Sequence, residues 1–239
     1  MNSPATKTSL NTFGLIAGIG CLFMLTSPFA EIMVYGKLVV AGNAAETCKN
    51  ISAHETLFNA GILSYLLNFI ADIVVAWALY GLLRPVNAAL SLLTAWFRVV
   101  YSVISLVALV NLVTVLRLLN NADYIKVFGP NQLHTQVWLT LYVFRDGWSL
   151  GFFFFAIHLV LLGYLVFQAG YIPRIMGAFL IIAGLGYFIN TLQPFLFPGI
   201  NIDYITITFF GEVIFTFWLL IKGWRIKGST LEIIVNNGL

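Results

Sequence analysis

The sequence predicts an all-α, polytopic membrane bundle of six spanning helices with both termini in the cytoplasm. Three observations carry that prediction. Of 239 residues, 60% are hydrophobic and 9% are charged, with a mean hydropathy of +0.95, against roughly 25% charged in soluble domains. Six segments are apolar over the length of about 20 residues that a membrane helix needs. Their connections alternate between short proline turns and longer polar loops. The prediction is therefore one integral membrane domain covering residues 1–239.

The first predicted helix, 12–34, follows Lys7 and superficially resembles a secretory leader. Pro28 stands near the candidate cleavage point after Ala30 and the apolar stretch is too long, so it is read as an uncleaved first span. Within it Gly14 and Gly18 form a small-xxx-small packing signal rather than a nucleotide loop, because no strand precedes them. The polar stretch "GNAAETCKNISAHE" follows, with a short surface helix as an option. Helix two covers 56–83 and ends at the turn "LLRPVN", where Pro85 starts helix three, 87–118.

The segment "NNADYIKVFGPNQLH" reads as a second long polar loop. Helix four, 137–168, runs to the turn "QAGYIPRIMG", where Pro173 opens helix five, 174–195; helix six is 204–224. Lysine and arginine in the flanks set the orientation. With both ends inside, Lys7, Arg84, Arg174, Lys222, Arg225 and Lys227 face the cytoplasm, against Lys37, Lys49, Arg117 and Lys126 outside. Cys21 and Cys48 are too few for a disulfide framework or a zinc site. With a net charge of +3 and no basic run, nothing points to nucleic acid and none is expected as a partner. The expected partners are the lipid bilayer and a small-molecule or lipid ligand.

Four ionisable residues fall at one depth. Asp72 is 12 residues before Arg84, Arg98 is 13 after Pro85, His158 is 12 before Gly170, and Glu212 is 10 before Lys222. At about 1.5 Å per residue these offsets are about 15 to 20 Å, near the middle of a hydrocarbon layer about 30 Å thick. Helix three adds a polar stripe, Asn87, Ser91, Thr94, Arg98, Ser102 and Ser105, at spacings of 4, 3, 4, 4 and 3. On helix two Gly61, Tyr65, Asn68 and Asp72 share a line, as do Thr208, Glu212 and Thr216 on helix six.

The candidate central ligand site is therefore Asp72, Arg98, His158, Glu212, Asn68 and Ser102. Glu31, Arg145, Asp146 and Asn190 form a candidate outer mouth, with membrane anchoring as the competing reading of such interfacial charges. "FFFF", Phe152 to Phe155, reads as a packing and lipid-facing run, with a pocket for an isoprenoid tail as the alternative. No metal and no cofactor are expected: the mid-depth ligands lack paired histidines, and no lysine stands at that depth for a retinal-type Schiff base.

Several stretches together resemble the bacterial membrane proteins grouped as domain of unknown function 4386. They are "GLIAGIG", Glu31, "GNAAETCKNISAHETLFNAGI", "ALYGLLRPVNAALSLLTAWFRVV", "HLVLLGYLVFQAGYIPRIMGAFLIIAGLGYFINT" and "GEVIFTFWLLIKG". The resemblance implies a six-helix fold in the bacterial cytoplasmic membrane, and an aspartate in many relatives where Asn190 stands here. It implies no activity. The expected function is binding or transport of a small or lipophilic ligand, with proton linkage as an option. An intramembrane enzyme using His158 and a carboxylate as acid and base on a lipid-like substrate is the alternative. A structural or sensor subunit clasped by a buried ion pair is the third reading.

Overall fold

A computed structural model describes residues 9–24 and 26–226; Lys7 and Lys227, two of the six positives assigned to the inner side, lie outside the described residues. Among the described residues the secondary structure is helical, with no strand. The helices are α1 (Leu10–Met24), α2 (Thr26–Glu31), α3 (Ala44–Ala53), α4 (Glu55–Leu83), α5 (Ala88–Asn120), α6 (Ala122–Gln168), α7 (Arg174–Leu196) and α8 (Phe210–Lys222). Among the described residues six stretches are long and apolar enough to cross a membrane: Leu10–Gly36, Glu55–Leu83, Ala88–Asn120, Lys126–Gln168, Arg174–Leu196 and Tyr204–Arg225. The all-helical, six-span architecture is as the sequence predicts.

Local departures have local causes. In the first span Thr26 and Ser27 return hydroxyl hydrogen bonds to the Phe23 and Met24 carbonyls, at 2.6 and 2.9 Å. Pro28, just beyond, has no N–H to give the helix ladder. The span then closes in a wide π-helical turn, Ile32–Gly36. The optional surface helix is present as α3, capped by Asn43, whose side chain accepts the Glu46 N–H at 3.0 Å. Pro85 lies in the turn and does not open α5; that cap is Asn87, which accepts the Leu90 N–H at 2.9 Å.

The predicted second polar loop is a correction. Residues from Ala122 onward are helical and join α6, with one break at Gly129, where φ is +68°. Glycine tolerates that left-handed value, and Pro130 then starts the next helical run, where a missing N–H costs nothing. The last span also differs from one continuous helix: Asp203–Phe209 is a 3-10 segment leading into α8. Within that segment the Thr208 hydroxyl donates to the Ile205 carbonyl at 2.7 Å.

The chain divides into two compact units: Met1–Leu22, Asp72–Val99 and Phe152–Leu239 in the first, and Phe23–Ala71 and Val100–Gly151 in the second. In the first unit glycines bring helices into backbone contact. A Cβ on Gly14 would lie 2.7 Å from the Gly223 carbonyl oxygen, one on Gly18 would lie 3.0 Å from the Leu219 backbone, and Gly163 and Gly177 approach each other similarly. In the second unit Gly147 faces Ala108, and Gly151 faces Ser105 and Tyr101. An aromatic core surrounds Tyr65, which packs against Phe69, Phe144 and Trp148.

Polarity along α5 is inverted relative to a soluble helix. Ser91, Thr94, Arg98, Ser102 and Ser105 are buried, whereas Leu92, Trp96, Val103, Val107 and Val110 are exposed. Apolar side chains turned outward and polar ones turned inward are what a hydrocarbon solvent selects.

Candidate functional site

In the first unit, α4 carries Asp72, α5 carries Arg98 and α6 carries His158, each on the buried face of its helix. The three side chains are in direct contact. Arg98 Nε donates to Asp72 Oδ1 at 3.0 Å and Nη2 donates to the same oxygen at 2.5 Å. Nη1 of Arg98 meets His158 Nε2 at 3.1 Å, and His158 Nδ1 lies 2.8 Å from the Thr94 carbonyl oxygen. Asp72, Arg98 and His158 expose 0%, 1% and 0% of their surface.

These contacts fix the histidine's chemistry. A guanidinium can donate and cannot accept. His158 Nε2 must therefore accept from Arg98, which leaves the ring proton on Nδ1, where it is donated to Thr94. Both ring nitrogens are committed, and the imidazole is held as one neutral tautomer. The Phe155 ring covers the remaining side of the cation, 5.2 Å from Arg98 Cζ, and stacks on His158 at 5.7 Å. A cation–π contact of this kind is worth about 0.5 to 2 kcal/mol.

Glu212, in the first turn of α8, is placed differently. It lies within electrostatic reach of Arg98 and Asp72, and so does Cys21. The Tyr187 hydroxyl donates to Glu212 Oε2 over a long 3.5 Å. The buried Oε1 accepts no hydrogen bond among the described residues. Tyr187 is itself stacked on Phe152 and Phe209. The structure thus brings three of the four residues predicted at mid-depth into one hydrogen-bonded chain, with the fourth within electrostatic reach and poorly satisfied.

Asn68 and Ser102 are both buried, and they belong to the second unit. Each is one helical turn from its ionic neighbour, Asn68 from Asp72 and Ser102 from Arg98. Of the candidate outer mouth, Glu31, Arg145 and Asp146 are in the second unit and Asn190 is in the first. Glu31 accepts a hydrogen bond from the Tyr65 hydroxyl at 2.6 Å. The Arg145 guanidinium stands over the Tyr35 ring at 5.0 Å. Arg145 and Asp146 are exposed; Asn190 is half-buried.

Phe155, Tyr187 and the Thr94 carbonyl were not among the predicted site residues. Phe155 had a signal: it stands three residues before His158, on the same helical face. A carbonyl's role leaves no trace in the residue letters.

The family model for the domain of unknown function DUF4386 matches residues 16–223. The chain belongs to the DUF4386 family. This DUF4386 protein is 39% identical over 166 residues, 70% of this chain and 85% of the other, to an uncharacterized protein of Archaeoglobus fulgidus. No solved structure matches the chain. The family's description assigns no activity, so function has to be argued from the site.

Proposed function

We propose that this protein binds or moves a small or lipophilic ligand across a cytoplasmic membrane, with Glu212 exchanging a proton and the Asp72–Arg98–His158 chain acting as its fixed frame. The observation that carries this reading is the contrast between the two carboxylates. Asp72 is ion-paired with Arg98 through Oδ1, as a buried charge must be paired. Glu212 is a second acid at the same depth, with one buried oxygen that accepts nothing from the described residues. An intramembrane acid beyond what the ion pair requires is the usual mark of a proton or ligand position.

The enzyme alternative fits less well. A general base needs a nitrogen within reach of a substrate proton, and both nitrogens of His158 are occupied. A purely structural clasp accounts for Asp72, Arg98 and His158 and leaves Glu212 without a role.

The test is pH-titrated infrared difference spectroscopy on the reconstituted protein. Wild type is expected to show a titrating carboxyl band that Glu212→Gln removes and Glu46→Gln, in the first turn of α3, leaves in place. A Glu212→Gln spectrum identical to wild type sinks the proposal.

A further inference from the structure

A cavity of about 140 Å³ in the second unit is lined by Tyr35, Leu141, Trp138, Tyr142 and Arg145. It lies beside the π-helical turn that ends the first candidate span at Gly36. Three of the lining residues carry hydrogen-bond donors: the Arg145 guanidinium, the Trp138 indole N–H and the Tyr142 hydroxyl. The Tyr35 hydroxyl is already spent on the Leu141 carbonyl, at 2.9 Å, which also removes an acceptor. Arg145 is exposed, is steadied by the Tyr35 ring and makes no ion pair among the described residues.

Two acids act on the same neighbourhood, and neither lines the cavity. Glu31 and Asp146 are within electrostatic reach of Tyr35, but Glu31 already accepts from Tyr65. Asp146 follows Arg145 directly on α6, and consecutive helical side chains diverge. We infer that this cavity is a subsite for an acidic head group, phosphate or carboxylate, held by Arg145 with its apolar part against Trp138 and Tyr142. Arginine binds both groups through paired N–H donors, and amphipathic rings suit a ligand that is apolar at one end. The inference is independent of the role given to Glu212. It differs from membrane anchoring, in which arginine and aromatic side chains meet many lipids without a defined stoichiometry.

Native mass spectrometry of the full chain in a non-ionic detergent tests it. Phosphatidylglycerol is titrated against wild type, Arg145→Gln, Arg145→Lys and Arg117→Gln, with diacylglycerol as the same chains lacking phosphate. The expected result is one tightly held phosphatidylglycerol, weakened tenfold or more by Arg145→Gln and less by Arg145→Lys, and unchanged by Arg117→Gln, which removes an exposed charge from α5. Inorganic phosphate is added in a competing arm: displacement of the lipid assigns the site to the free anion as well, and no displacement assigns it to the lipid head group. Equal binding by Arg145→Gln and wild type overturns the inference, as does equal retention of diacylglycerol. A circular dichroism spectrum matching wild type establishes that each variant is folded.

Discussion

Arg98 is held between one anion and one neutral base, and the two partners carry different weights. Removing Asp72 leaves a guanidinium in a site with no water-exposed surface, and breaking a buried pair from one side costs about 3 to 5 kcal/mol. Removing both charges leaves only a packing defect. Asp72→Leu and Arg98→Met alone are each expected to lower the thermal midpoint in detergent sharply, and the double variant to recover much of that loss. A double variant as unstable as the sum of the single ones counts against an ion-pair frame. A shared predicted level for Asp72, Arg98, His158 and Glu212 could be read by counting residues from the charged turns. The order of the bonds could not, because it depends on side-chain reach across helices and on the Thr94 carbonyl. The one mark of Phe155 in the letters is its place three residues before His158; a run of four phenylalanines puts a ring on every side of the helix and obscures it.

Where helices meet, glycine decides how near they come. Gly14 packs on the Gly223 backbone, which cannot move aside as a flexible side chain can. Gly14→Leu is expected to destabilise the protein by about 1 to 3 kcal/mol through overpacking, whereas Gly199→Ala, with nothing within 4 Å, should be near neutral. Equal midpoints for the two variants in a thermal melt would exclude a tight α1 contact. The turn between α6 and α7 gives a second prediction. The Tyr171 hydroxyl donates to the Leu82 carbonyl at 2.6 Å, and burial pushes its pKa from 10.0 up to about 12. The fold therefore favours the protonated phenol. Its contribution is complete below pH 10 and is lost as the pH rises from 10 towards 12. Tyr171→Phe should cost about 1 kcal/mol near neutrality and flatten the alkaline decline; a decline unchanged in the variant assigns it elsewhere. Helix positions were largely readable from apolar length. The helical stretch before Gly129 was not, because its polar composition matches a loop, and one glycine with one proline mark a break between helices as readily as a loop.

If all six candidate spans cross, the start of the first and the end of the last share one face of the membrane, and the distribution of lysine and arginine predicts that face to be cytoplasmic. Intrinsic thiols leave this open to direct labelling. Cys21 and Cys48 are buried, and burial pushes the Cys48 thiol in α3 up to about 11, so little reactive thiolate exists near pH 7.5. Wild type should therefore react slowly with a membrane-impermeant maleimide until it is denatured. Cysteines placed at four exposed positions, Ser9, Asn43, Asn131 and Arg225, then report one at a time. In right-side-out vesicles Asn43→Cys and Asn131→Cys are expected to label at once, and Ser9→Cys and Arg225→Cys after the membrane is opened. Inverted vesicles should exchange the two pairs. Labelling of Ser9→Cys and Arg225→Cys from opposite faces would mean that one apolar helix does not cross. Labelling of both from outside would keep six crossings and reverse the orientation, showing that the few flanking charges are outweighed by the rest of the chain.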